Sequence, residues 1–174
     1  MSAMSTELSR RIDVCMSVYK GMLTHLPVEV DTATGRKKPY LFIHRGLPGS
    51  FKTTFANAHG CLVISPGDQY SYRCGQYKFN EDRRLEARRF GDQLLSLALF
   101  ERVDVAVAEV LPSLKSVRRY EERAAYDGYN VLVFDHINTI EESFARNAHR
   151  VPLEVVKSMA AAWEPYPGAI EVLI

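Results

Sequence analysis

A chain of 174 residues that is 47% hydrophobic and 25% charged has the balance of a folded globular protein, which excludes a disordered one, and its length suits a single sizeable core. A net charge of +1 gives no global attraction to nucleic acid or to membranes, so any anion site must be local. Three cysteines (Cys15, Cys61 and Cys74) without paired short spacing argue against a disulfide framework or a tetrahedral metal site.

No apolar stretch reaches the roughly 20 residues that span a bilayer, and the N-terminus lacks the continuous apolar core of a signal peptide, so a cytoplasmic protein without a membrane partner is expected. From Ser5 to Leu26, apolar residues recur at Leu8, Ile12, Cys15, Tyr19 and Met22, which predicts a helix with one buried stripe. That stripe packs on the domain's own sheet or offers a surface for a protein partner or for self-association. Asp31 to Lys38 is polar with a central Gly and reads as an exposed connector. Residues 1–38 are therefore expected to form an N-terminal helix and connector, and residues 39–174 the main domain.

Beyond the connector, five short apolar runs alternate with helical segments. They are Tyr40 to Ile43, Cys61 to Ile64, Val103 to Val110, Tyr129 to Phe134 and Ile170 to Ile174. Helices are expected after Lys52, from Glu81 to Glu101, around Glu141 to His149 and from Pro152 to Trp163. Continuous rather than alternating apolar runs require strands covered on both faces. The expected fold class is α/β, a three-layer sandwich around a mainly parallel five-stranded sheet. A flavodoxin-like sandwich shares this pattern, so the turn after the first strand decides between them.

That turn reads Gly46-Leu47-Pro48-Gly49-Ser50-Phe51-Lys52-Thr53-Thr54. A phosphate loop wraps main-chain N–H groups around the phosphates of a nucleotide, adds a Lys as a charge clamp, and uses the next hydroxyl as a Mg²⁺ ligand. Gly46, Lys52 and Thr53 have the required spacing in a strand-turn-helix context. Phe51, however, stands where the pattern has Gly, so the ring must either narrow the cradle or redirect the loop.

The string His44-Arg45-Gly46-Leu47-Pro48-Gly49-Ser50 with Lys52-Thr53-Thr54 resembles the polynucleotide-kinase-like family of P-loop kinases, the group around phage polynucleotide kinase. Val63 to Ser65 followed by Asp68 and Tyr70 looks like the family's second strand and its Asp-Asp-aromatic motif. Arg146-Asn147, Arg150, Val151-Pro152, Val155-Val156 and Met159 are similar to its lid and following helix. The resemblance covers residues 39 to 165 and implies transfer of the γ-phosphate of ATP, or another NTP, to a hydroxyl of a nucleic-acid 5′ end or a modified nucleotide. It further implies that Gly46, Pro48, Gly49, Ser50, Lys52, Thr53, Thr54, Arg146 and Arg150 contact the nucleotide, with Lys52 and Arg150 acting on the transferred group. Thr53, with Glu109, would hold Mg²⁺.

Three departures fall at the chemistry. Besides Phe51, the first Asp of the Asp-Asp motif is replaced by Gly67, leaving Asp68 either to take over as proton acceptor or to serve as a turn or helix-capping residue. At the end of the third strand, Glu109-Val110-Leu111 replaces an Asp-Thr-Asn-like motif. A catalytically impaired pseudo-kinase that binds nucleotide, nucleic acid or protein is therefore the alternative reading. Arg83, Arg84, Arg88 and Arg89, interleaved with Glu81, Asp82 and Glu86, read chiefly as an exposed salt-bridged face, the alternative being a nucleic-acid surface. The aromatics Tyr70, Tyr72, Tyr77 and Phe79 either stack on a base or pack a long loop, and Arg73 either meets an acceptor phosphate or is solvated. The histidines at 25, 44, 59, 136 and 149 are scattered and suggest neither a zinc site nor a triad.

Overall fold

The computed structural model describes residues 3–67, 72–73, 76–77 and 83–174. Asp68, Tyr70, Cys74 and Phe79, and the side chains of Tyr72, Arg73 and Tyr77, lie outside the description. Helix α1 spans Ala3–Thr24 and strand β1 Tyr40–Gly46. They are joined by a connector closed into a turn, in which Val30 pairs with Lys37. The Asp31 carboxylate accepts the amides of Ala33 and Thr34 at 2.9 and 3.2 Å, the local bonding that makes Asp a turn former.

Helix α2 (Lys52–Asn57) and strand β2 (Leu62–Ile64) follow, then a short antiparallel pair, β3 (Tyr72–Arg73) with β4 (Gln76–Tyr77), that the sequence pattern did not suggest. Next come α3 (Arg84–Glu101), β5 (Val105–Glu109), α4 (Leu114–Tyr126), β6 (Asn130–Ile137), α5 (Ile140–Ala145), α6 (Leu153–Ala161) and β7 (Ile170–Leu173). The main sheet has the order β2-β5-β1-β6-β7, and every pairing in it is parallel. All five expected strands are present, and the α/β sandwich forms as expected.

The continuous apolar runs are explained by two cores, one on each sheet face. Leu41 and Ile43 of β1 join Val105, Val107, Leu95, Leu99 and Val117 beneath α3 and α4. Tyr40 and Phe42 point the other way and join Phe55, Phe134, Ala106 and Ala108, with Tyr19 of α1. Phe55 of α2 is fully buried there and stabilises by roughly 1.5–3 kcal/mol, the usual range for a buried side chain of its size. The stripe of α1 thus packs on the domain's own sheet, and Cys15 Sγ reaches the Leu173 carbonyl of β7 at 3.0 Å. No described helix is long and apolar enough to cross a membrane.

Helix α5 ends at Ala145, short of the expected His149. A capping box starts it, with the Glu142 amide on Thr139 Oγ1 at 3.1 Å and the Thr139 amide on Glu142 Oε2 at 3.0 Å. Its continuation is prevented by a turn in which Asn147 Nδ2 donates to the Val151 carbonyl at 2.8 Å and Arg150 adopts a left-handed conformation, φ 53°. Asn offers such local bonds in competition with the helix.

Candidate active site

The loop leaving β1 lies at the carboxyl ends of the parallel strands, where open α/β sheets place their ligands. Its start is tightly confined. A Cβ on Gly46 would lie 2.6 Å from Ser50 Oγ and 2.9 Å from His136 Cβ, so only Gly fits. Gly49 has φ 79°, a conformation that L side chains rarely adopt, and it too is packed against a neighbour, the Ser143–Arg146 stretch of α5 and its end. Ser143 Oγ donates to the Pro48 carbonyl, fastening α5 to the loop.

Phe51 resolves the question raised by its position. It caps α2 with φ 61° and ψ 16°, the left-handed backbone that a Gly would adopt freely. The left-handed conformation is thus adopted with a side chain in place, at a cost of about 1–2 kcal/mol. The ring packs at the margin of the core containing Phe55, and the Arg146 guanidinium carbon lies 5.5 Å from its centroid. At such distances a cation is attracted to an aromatic face. Arg146 also pairs with Glu142 at 3.2 Å, one helical turn away, while its Nη1 is buried with no hydrogen-bond partner.

The Lys52 ammonium lies within the loop, donating to the Leu47 carbonyl at 2.8 Å and to Ser50 Oγ at 3.2 Å. One groove of about 930 Å³ is lined by Lys52, Thr53, Glu109, Arg146 and Arg150, so the expected nucleotide and metal residues that are described, Gly46 excepted, line one space. Arg83, Arg84 and Arg88 of the α3 end line it as well, and Arg84 and Arg88 are exposed, as expected of a solvated face. Arg83 does make one expected helix-surface pair, with Glu86 at 3.0 Å.

Glu109 ends β5 on the groove floor. Its Oε1 accepts the Tyr120 hydroxyl at 2.7 Å. Burial raises its carboxyl pKa, and the Tyr120 bond together with the more distant Arg119 and Arg88 offsets this only in part. The half-buried Glu109 carboxylate and Thr53 line the same groove, and both carry oxygen, the donor type that Mg²⁺ takes.

Beside the loop, Arg45 is fully buried. Its Nε lies 2.9 Å from Asp135 Oδ1, its Nη2 donates to the Glu164 carbonyl at 2.7 Å, and its guanidinium carbon is 4.0 Å from the centre of the Trp163 ring. Burial pushes the guanidinium's pKa down and the carboxyl's up, and each partner's charge counters that shift. The sequence signal for this pair was available as two charged residues at the ends of otherwise apolar strands.

Three of the five scattered histidines, His44, His59 and His136, are brought together. His44 Nδ1 is 2.9 Å from His136 Nε2, His44 Nε2 is 2.9 Å from His59 Nε2 and 3.1 Å from the Tyr19 hydroxyl, and that hydroxyl also bonds His59 Nε2. Among the described residues no group of three His, Cys, Asp or Glu could hold a metal ion.

No family model matches the chain. Among solved structures it is similar to a chain of the Pnkp1/Rnl/Hen1 RNA repair complex, with TM-score 0.59 and 17% identity over 80% of this chain and 51% of that one. It is also similar to the AvrRxo1-ORF1:-ORF2 complex determined with ATP, with TM-score 0.56 and 20% identity over 72% of this chain and 47% of that one. A third match is a candidate kinase of Chloroflexus aurantiacus, with TM-score 0.56 and 16% identity over 79% of this chain and 88% of that one. The chain has the P-loop kinase fold. It spans about half the length of the RNA-repair chain it matches. The groove just described lies at the first strand-to-helix turn, and α5 with its C-terminal end packs against Gly49 of that turn.

Proposed function

We propose that this chain is a phosphotransferase that moves the γ-phosphoryl group of ATP, or another NTP, to a hydroxyl of a nucleic-acid 5′ end or a modified nucleotide. The observation that carries the reading is the convergence of Lys52, Thr53, Glu109, Arg146 and Arg150 on one groove beside a loop whose backbone keeps its left-handed turns despite Phe51.

In this reading the loop from Gly46 to Thr54 cradles the phosphates, since the first turn of a helix leaves main-chain N–H groups without intrahelical acceptors. Lys52 exchanges its bonds to Leu47 and Ser50 for phosphate oxygens. The buried Nη1 of Arg146 gains the acceptor it lacks, and Arg150 closes from the far side of the lid turn. Thr53 and Glu109 would hold Mg²⁺, which would supply neutralisation of phosphate charge. The acceptor oxygen bonds to the γ-phosphorus as the bond to the β,γ-bridging oxygen breaks, and the hydroxyl proton passes to Asp68. Positioning and charge neutralisation supply most of the rate in such transfers. The structural match to an RNA-repair chain and to a complex determined with ATP supports nucleotide and nucleic-acid chemistry.

Mg-ATP should raise the melting temperature of the native protein, and Lys52→Ala should abolish the rise, because only a ligand of the folded state stabilises it. Labelled γ-phosphate should then appear on a 5′-hydroxyl oligonucleotide or on a nucleoside acceptor. A thermal shift without transfer to any such acceptor identifies the pseudo-kinase, the reading favoured by Gly67 in place of a carboxylate. No shift with ATP or GTP overturns the nucleotide site itself.

A further inference from the structure

The buried polar chain that begins on α1 ends at the phosphate loop. Tyr19 is 5% exposed, His44 0% and His136 2%, so water does not compete for their bonds. The Tyr19 ring is edge-on to His44 of β1, Phe55 of α2, His59 and Phe134 of β6, placing its hydroxyl at the junction of three elements. His136 pairs in register with Gly46 and packs against it, with the Ser50 main chain beside its ring as a hydrogen-bonding neighbour. His136 Nδ1 is itself buried without a hydrogen-bond partner, with the Ser50 main chain as the neighbour it can engage.

The proton count of this chain couples its two ends. A neutral imidazole has one donor and one acceptor nitrogen, and a phenol has one proton. If Tyr19 donates to His44 Nε2, then His44 donates from Nδ1 to His136 Nε2, and His136 is left with an Nδ1–H donor facing the loop. If Tyr19 instead accepts from His44, the order reverses and His136 presents an acceptor. His59 Nε2, which touches both the hydroxyl and His44 Nε2, takes the complementary role, donating to the hydroxyl in the first order and accepting from it in the second. Each ring thus transmits the choice made at this junction, in an interior where an unmatched polar group costs about 1–3 kcal/mol.

We propose that Tyr19, His44 and His136 are positioning residues through which α1 sets the path of the phosphate loop at Ser50. The proposal rests on that loop being the nucleotide site, and it gives the N-terminal helix a role beyond covering the sheet.

Tyr19→Phe keeps the ring contacts and removes the hydroxyl, and ring-nitrogen NMR of the full chain reads the tautomers directly. The expected result is a changed tautomer at His44 and His136, faster hydrogen exchange at the Ser50 amide, and an at least fivefold weaker Kd for ATP with kcat changed less than Kd. Tautomers and exchange need no nucleotide, so they decide the coupling even if the protein binds none. Should Tyr19→Phe fail to fold, His59→Ala, which removes the other partner of the hydroxyl at the less buried end, replaces it in the same measurements. Unchanged ring-nitrogen shifts at His44 and His136, with unchanged exchange at Ser50, overturn the proposal.

Discussion

A Cβ on Gly49 would stand 2.6 Å from the carbonyl oxygen of Ser143. The phosphate loop and α5 are therefore in contact through main chain, with no side chain between them to yield. Gly49→Ala combines a left-handed alanine with a main-chain clash, and each alone costs about 1 kcal/mol or more. Urea denaturation should show a loss of at least about 2 kcal/mol, together with loss of the Mg-ATP thermal shift. A neutral substitution would mean that α5 lifts from the loop without penalty.

Phe51→Gly removes left-handed strain of about 1–2 kcal/mol and also removes a partly buried ring of comparable worth, so stability should change by less than about 1 kcal/mol. Arg146 loses its aromatic neighbour, and the cradle gains space. Calorimetry should find ATP bound at least threefold more tightly than by the native chain. Weaker binding would show instead that the ring itself contributes a nucleotide contact.

The sheet was legible because each of its strands is a continuous apolar run, and residues such as Leu41 and Phe42 have a core to enter on either face. The loop was legible from Gly46, Lys52 and Thr53 alone. Its accommodation of Phe51 was not, since a side chain type does not state its own φ. The histidine chain was hidden for another reason. His44 and His136 are 92 residues apart, and only the β1–β6 register sets them side by side. The arginines at 83, 84 and 88 share their segment with acidic neighbours, and a charge pattern of that kind does not reveal which part of a helix faces a groove.

Glu109→Gln keeps the shape of the groove floor and its contact with Tyr120 while removing the carboxylate charge. The concentration of Mg²⁺ needed for half of the full ATP-induced thermal shift should rise at least tenfold. An unchanged requirement would leave Thr53 as the metal ligand of this pair.

Stability should fall in mild acid. Burial holds His44 well below the ordinary histidine range and His136 at about 3, whereas both titrate near 6.5 in the unfolded chain. Below pH 6.5 the unfolded state binds more protons than the native one, so stability is fully present above that value and declines as pH falls toward the folded pKa values. Between pH 7 and 5.5 the loss should be about 1 kcal/mol for each of these two residues, read by urea denaturation at both pH values. His136→Gln should lessen the slope by its share, and an undiminished slope would place the titration elsewhere.

Arg45 and Asp135 face each other from adjacent strands, the arginine side chain fully buried and the aspartate side chain only 7% exposed. Neutralising one strands the opposite charge in a medium that cannot solvate it, at a cost of about 3–5 kcal/mol, whereas exchanging both for hydrocarbon of equal volume is close to neutral. Drift at positions 45 and 135 is thus confined to joint replacement, and among divergent homologues of this chain the two columns should change in concert, with Trp163 lost wherever the guanidinium is lost.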